Sequence, residues 1–366
     1  MRHTTIAAVA GAAGILLSAF FASCTIKTVP GDERPRSLER PQRLLSSQAL
    51  PIPEITQAHA AGKDTVRNCD DVFEPGKITV NNSDFTVPEE LETELLSIVA
   101  RYRPYDTAFY AVDLVSGMSI GFQADQYYMT ACTIKAGYAL SWFERLEQNR
   151  IDDENGVAED PVAPRIRLDD TYVYTGADHL VGAGQIQYMG TGKTYTVQDL
   201  LYHLIHESDN TAYNVLYKKF GNKDYIALSE RLGLVPYFGQ YGMWTRMRPL
   251  DLGLVWQDIW RYYKTGSPEA QLYWEYLTTN LFCEIAIAVK DADVIAHKSG
   301  SDEYAFNEAG IVIRGDDAYA LVVFTTRPLH IVGEGYDCCH EVIASLDRVM
   351  QAYYAQTGVS TAYRTT

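Results

Sequence analysis

The chain is poor in several things that would each have defined its class. Six cysteines in 366 residues are too few for a disulfide-built scaffold, and the length suffices to bury a core without one. Positive charge is scarce: 31 Lys and Arg face 47 Asp and Glu, a net charge of −16. That balance excludes the broad cationic surface that nonspecific nucleic-acid binding needs, while leaving room for a local basic pocket that takes an anionic ligand. Long apolar runs are missing apart from residues 6–22, and there is no internal repeat. What is present, 47% hydrophobic and 21% charged residues, is the composition of a folded globular protein of one large or two modest domains.

The apolar run follows a short basic end, in "MRHTTIAAVAGAAGILLSAFFASC". It is slightly short for a membrane span, and small residues and a cysteine follow it at once, so residues 1–23 read as a signal peptide. "FASC" is similar to a bacterial lipoprotein processing site, which would make Cys24 the lipidated first residue; ordinary cleavage nearby is the alternative. Export to the cell envelope follows either way, and the lipid would be the protein's membrane attachment. Residues 24–80, with scattered prolines, read as a tether or loosely packed lead-in, and residues 81–366 as the folded domain.

Periodicity then sets the organisation. Thr86 and Pro88 are placed to start a helix, and "TAFYAVDLVSGMSIGF" reads as a hairpin of half-buried strands turning at Ser116-Gly117. A helix is expected over 133–148, followed by the polar "NRIDDENGVAED", read as a surface turn rather than a calcium loop because the ordered oxygen ligands are missing. Thr196 caps a helix that stops at Ser208-Asp209-Asn210; a second ends at Gly221, and Pro249 opens a third. Near the end, "DVIAHKSG", "AGIVIRGD" and "DAYALVVFTTRP" are three strands before a last helix. Strands at both ends with helices between them predict one sheet assembled from the chain's termini, beside an inserted helical lobe at about 150–285. The "DCCHE" at 337–341 lacks metal-ligand spacing and reads as a helix cap with buried thiols, and "MGTG" at 189–192 as a turn.

Three short stretches carry the chemistry. In "YMTACTIKAGY", Cys132 and Lys135 fall on one face of a helix. Alone, the spacing favours a small core cysteine under a solvated lysine over a nucleophile beside its proton acceptor. "SDN" at 208–210 and "KSG" at 298–300 alter that balance. The three, in this order, resemble the stations of class A serine β-lactamases and related penicillin-recognising enzymes, and the likeness extends over roughly residues 85–360.

The resemblance implies an α+β fold: an antiparallel five-stranded sheet flanked by helices, an all-helical lobe, and a cleft between them. It implies a hydrolase acting on a β-lactam or a peptidoglycan-like small substrate through a covalent acyl-enzyme, with no metal or organic cofactor. By the same resemblance Cys132 is the nucleophile, Lys135 takes its proton, and Ser208 passes a proton to the leaving nitrogen. Asn210 meets the substrate carbonyl and Lys135, while Lys298 and Ser299 hold the anionic end. Gly300 admits the strand closely, and the N–H groups of Cys132 and Ser301 form the oxyanion hole. A helix start lowers the cost of thiolate and of developing oxyanion charge.

The pattern also departs from the family. The nucleophile there is serine; a sulfur changes the attack distance and gives a thioester. A natural cysteine enzyme, an inactive relative and an engineered substitution all stay open at this point. The deacylating E-x-x-L-N segment is missing between Asn210 and Lys298, with Glu230 in unsuitable company, so a long-lived acyl-enzyme is expected. Glu308 stands where the family often carries a carboxylate-binding arginine, and Arg314 reads as a surface ion-paired residue. A cysteine–histidine pair is disfavoured, since strand alternation turns His297 away from the face of Lys298. The alternatives to a hydrolase are a noncatalytic envelope module that binds through the cleft and a peptidoglycan peptidase or transpeptidase.

Overall fold

A computed structural model describes residues 74–81, 84–102, 106–234, 243–326 and 334–358, with side chains from 337 in the last segment. The expected signal peptide, Cys24 and nearly all of the lead-in lie outside these residues. In chain order the strands are β1 (Thr79–Asn81), β2 (Thr107–Asp113), β3 (Ser119–Phe122), β4 (Tyr128–Met129), β5 (Thr171–Val173), β6 (Thr194–Thr196), β7 (Arg246–Met247), β8 (Val294–Ser301), β9 (Phe306–Arg314) and β10 (Asp317–Thr325). The main sheet runs β1-β3-β2-β10-β9-β8, with antiparallel pairing throughout. Two short ribbons, β4–β7 and β5–β6, stand apart from it.

The fold class is the one expected, with one strand more than the five anticipated. The addition is β1, whose three residues pair with β3 (Val80 opposite Ile120) and are too few to show an alternating pattern. The hairpin strands are also more deeply placed than a half-buried reading implies, since every residue of β2 and β3 is buried. Helices cover both faces. Ala108, Tyr110 and Val112 enter one core with Tyr138 and Trp256, while Phe109 and Ala111 enter the other with Val342 and Leu346. Successive side chains of a strand point to opposite faces, so a strand in the middle layer reads as a continuous apolar run.

Between β3 and β8 the chain is mostly helical. The helix Ile134–Glu154 extends six residues past the expected end, into the acidic stretch, and the expected turn follows only at Asn155–Gly156. Local pairing explains this: Arg150 bonds Glu154 one turn on at 2.8 Å, Gln148 donates to Asp152 at 2.8 Å, and Arg165 reaches Asp153 at 2.8 Å. The first helix starts at Glu89 with Pro88, not Thr86, in the cap position and without a side-chain cap; Glu89, Glu90 and Glu92 complement its dipole instead. Thr196 does cap Val197–His206, sharing a reciprocal capping box with Asp199. Asn210–Phe220 ends at Gly221, where φ is +75°, and Pro249 opens Pro249–Tyr263. The final helix, Glu334–Thr357, buries Cys338 and Cys339 against the sheet. Among the described residues no helix is long and apolar enough to cross a membrane.

Candidate active site

Cys132 sits in a single 3-10 turn, Ala131–Thr133, that leads into Ile134–Glu154. Ala131 holds φ at +46°, and the turn is pinned on both sides. Thr130 donates its amide and its hydroxyl to the Thr245 carbonyl at 3.1 and 2.8 Å, and the Thr133 hydroxyl donates to the Thr130 carbonyl at 2.7 Å. Asn307 of β9 donates to the Met129 carbonyl at 2.7 Å, tying the preceding strand to the sheet. The turn that carries Cys132 is therefore fixed by contacts from two remote segments and one within the turn.

Lys135, one turn on, is completely buried. Its ammonium donates to the Ser208 carbonyl at 2.5 Å, to Asn210 Oδ1 at 2.7 Å and to the Ser208 hydroxyl at 3.4 Å. It also lies 5.6 Å from the ring centre of Tyr213 and 5.4 Å from that of Trp244. Lys298, from β8, donates to the Ser208 hydroxyl at 2.9 Å and to the Ser299 carbonyl at 2.9 Å. Ser208 thus joins the two lysines, and its own φ of +57° shows that the loop holds it in a left-handed conformation.

The charges shift one another. Burial pushes the Cys132 thiol up, but the ammonium groups of Lys135 and Lys298 and hydrogen bonds from Ser208 and Lys135 outweigh it, so its pKa falls below the ordinary thiol value. Burial also lowers Lys135, against the opposing pull of Cys132 and Asp209. Burial lowers Lys298 to about 8, and the nearby charge of Lys135 adds to the effect.

The "SDN" loop is anchored through Asp209, whose carboxylate accepts from the Ala212 and Ile186 amides, both at 2.8 Å. Asp209 therefore holds the loop together from within. Asn210 is less free than expected: one amide hydrogen goes to the Val181 carbonyl at 3.1 Å while its oxygen accepts from Lys135. Glycines make the packing possible. A Cβ at Gly182 would fall 2.2 Å from Asn210 Nδ2, and one at Gly184 would fall 2.1 Å from Asp209 Oδ2. These two positions, with Tyr213 and Trp244, are contributions that the three stations did not predict; the "GAG" before "QIQYMG" is the signal that could have pointed to the loop.

Gly300 has the most direct geometric role. A Cβ there would lie 2.6 Å from the Thr133 amide nitrogen, 2.7 Å from that of Cys132 and 2.9 Å from the Thr130 oxygen. The strand β8 therefore abuts the turn that carries Cys132 through bare backbone. Ser299 is half-buried at the register position opposite Glu308, and Ser301, exposed, ends the strand opposite Phe306. Strand register and alternation place His297 on the other side, where its Nδ1 lies 3.1 Å from Glu308 Oε1. Arg314 bonds Asp291 and Asp347 at 2.7 and 3.1 Å and is thereby committed outside the cleft. Glu230 is exposed on Lys223–Leu232, and residues 233–247 contain no Asp or Glu at all.

The fold as a whole has counterparts among known proteins. Residues 90–346 match the profile of the "Beta-lactamase enzyme family". A β-lactamase from Sphaerobacter thermophilus DSM 20745 superposes with a TM-score of 0.58 at 20% identity, covering 71% of this chain and 98% of its own. PBP-A superposes with a TM-score of 0.60 at 21% identity, covering 74% of this chain and 100% of its own. A mutant of PBP-A, also similar in fold, forms an acyl-enzyme complex with penicillin G. No match was found among curated proteins.

Proposed function

We propose, from the premise that the chain belongs to the β-lactamase enzyme family, that it is an acyl-transfer hydrolase whose nucleophile is the Cys132 sulfur and whose acyl-enzyme is slow to release. The observation that carries this reading is the convergence of Lys135 and Lys298 on Ser208 beside the pinned turn of Cys132. In the reaction, the sulfur attacks the carbonyl carbon of a β-lactam or a related peptidoglycan-like amide. Lys135, its pKa lowered by burial, accepts the thiol proton. The carbonyl oxygen, becoming negative, meets the N–H groups of Cys132 and Ser301, which the close approach at Gly300 supports. As the C–N bond breaks, the Ser208 hydroxyl gives a proton to the leaving nitrogen and is resupplied from Lys298. The substrate carboxylate lies against Lys298 and Ser299, and Asn210 contacts the acyl side.

A thioester at Cys132 then awaits water. The missing E-x-x-L-N segment between Asn210 and Lys298 supports slow hydrolysis of that intermediate, because such a segment supplies the carboxylate that activates the water. Residues 1–23 would serve export and Cys24 lipid attachment, with residues 24–80 as the tether of an envelope protein.

Incubation with a chromogenic cephalosporin, followed by intact-mass measurement, tests the reading. A persistent mass gain that maps to Cys132, with slow turnover, is the expected result. Absence of both colour and adduct would overturn it and favour a binding module. Cys132→Ser is expected to acylate faster, since the pocket is that of an oxygen nucleophile.

A further inference from the structure

Behind the "SDN" loop, one group of side chains has the make-up of a metal site. His203 and Glu207 share one face at the end of the helix Val197–His206, and Asp209 caps the helix that follows. One ligand atom from each, an imidazole nitrogen and two carboxylate oxygens, lies within 4.8 Å of the other two. His203 Nδ1 and Glu207 Oε2 are 2.9 Å apart. Ligand atoms about 2.0–2.1 Å from a tetrahedral ion stand about 3.4 Å from one another, so small side-chain rotations would close this set around one ion. His203 and Glu207 keep 20% and 18% of their side-chain surface exposed, which leaves an approach from solvent.

The charge balance favours a cation there. Among the described residues no lysine or arginine pairs directly with either carboxylate: Glu207 meets His203, and the buried Asp209 accepts from the Ala212 and Ile186 amides. Each Asp209 oxygen takes one amide hydrogen and keeps a second lone pair. With a neutral imidazole the three side chains carry two negative charges. They do so at the C-terminal end of a helix, where the aligned peptide dipoles also favour positive charge. Beside them, the Tyr195 hydroxyl is buried with no hydrogen-bond partner among the described residues. Its ring stands edge-on to that of His203, with centres 6.0 Å apart. A water held by an ion is the kind of partner that such a hydroxyl lacks.

We propose that His203, Glu207 and Asp209 bind a zinc ion, with water completing its shell, and that the ion braces the loop that carries Ser208 and Asn210. One imidazole with two carboxylates suits zinc better than magnesium or calcium, which take shells of oxygen. The ligating nitrogen must be unprotonated, so Glu207 exchanges its bond to the imidazole for one to the metal. Asp209 is the junction with the cleft. On either side of it, Ser208 and Asn210 hold the Lys135 ammonium, so an ion on Asp209 restrains the segment that positions that amine. The ion takes no step in the acyl-transfer chemistry, and the site stands whether or not that reading does.

The test strips the full chain with EDTA, dialyses it and titrates zinc chloride by calorimetry. Saturable zinc uptake, a higher denaturation temperature and slower amide exchange over residues 207–212 are expected. His203→Gln removes the imidazole and should weaken binding by roughly tenfold or more, with the slowing of exchange lost. Cobalt in place of zinc should give visible d–d bands without a thiolate charge-transfer band, which separates this ligand set from any site built on cysteine. Four results would each overturn the proposal: no zinc uptake, full affinity in His203→Gln, a thiolate band, or magnesium bound as tightly as zinc. Exchange and cobalt spectra are read on the unmodified protein, so a misfolded variant does not remove the test. No β-lactam is present, so failure of the zinc site and failure of acylation are separate outcomes.

Discussion

The two faces of β8 hold cysteines in opposite electrostatic settings. On one, Cys132 lies beside Lys135 and Lys298, and its thiol falls below the ordinary value despite burial. On the other, His297 pairs with Glu308, Glu308 accepts the Glu284 amide at 3.3 Å, and Glu284 bonds His340. Cys283 and Cys339 lie near these carboxylates. Burial first, and then Glu308, pushes Cys283 up to about 12, and the same two causes, with Cys338 and Glu284, push Cys339 well above the thiol range. Both sides desolvate sulfur. The sign of the neighbouring charge decides which thiol is lowered and which is raised.

The sharpest way to break this contrast is alkylation. At neutral pH, iodoacetamide followed by peptide mapping should label Cys132 faster than Cys283 by on the order of 10³-fold or more, since thiolate fraction sets the rate. Comparable rates would mean that the lysines do not act on the sulfur as described. Next in size is Gly300→Ala. The added methyl group meets backbone atoms at 2.6–2.9 Å, which cannot yield as a flexible side-chain end would. A cost of about 1–3 kcal/mol is expected from such overpacking, and if it appears in the acylation step the rate falls about five- to 150-fold. Acylation kinetics and thermal denaturation, measured together, separate a displaced turn from a destabilised fold.

These same particulars show what was legible beforehand. The stations at Cys132, Ser208 and Lys298 could be read in one dimension because each combines a reactive side chain with a local cap or turn residue. The alternation that turns His297 away from Lys298 could also be read, because strand period fixes it. The contacts that join the stations could not. Gly182 and Gly184 admit the "SDN" loop, Tyr213 and Trp244 flank Lys135, and Thr245 pins Thr130. Each partner is remote in sequence and of an ordinary residue type. The helix end in the acidic stretch, at Glu154 and not at Gln148, is hard to read for a related reason. Its residues have weak helical preference, and ion pairs to Arg150 and Arg165 override it. Glu308 was noticed as a missing arginine, yet its partner His297 and its effect on the cysteines behind the strand depended on the packing of Glu284–Ala288 and the last helix.

Titration of Lys298 gives a smaller, signed effect. With a pKa of about 8 in the fold against 10.5 as the ordinary value, it loses its charge first in the folded protein. Between those values the unfolded chain binds more protons, so this group alone makes stability rise with pH across that window. Affinity for an anionic ligand moves the other way. From pH 7 to 8.5 the charged fraction drops about fourfold, and binding of a carboxylate-bearing β-lactam should weaken by a similar factor. Affinity that stays flat over this range would place the carboxylate elsewhere.

The smallest expected effect comes from Glu308→Gln, which removes charge from the far face and keeps a hydrogen-bonding group opposite His297. Burial is the first cause of the high Cys283 value and is untouched, so its alkylation should quicken only modestly. Cys132, whose shift involves the lysines and Ser208, should change by less than about threefold. The fold should lose some stability, because a neutral amide bonds His297 less strongly than a carboxylate does. A large change in Cys132 labelling would show that the strand transmits the charge of one face to the other. The two sulfur environments would then be one coupled system, with His297 and Glu308 acting as positioning residues for Lys298.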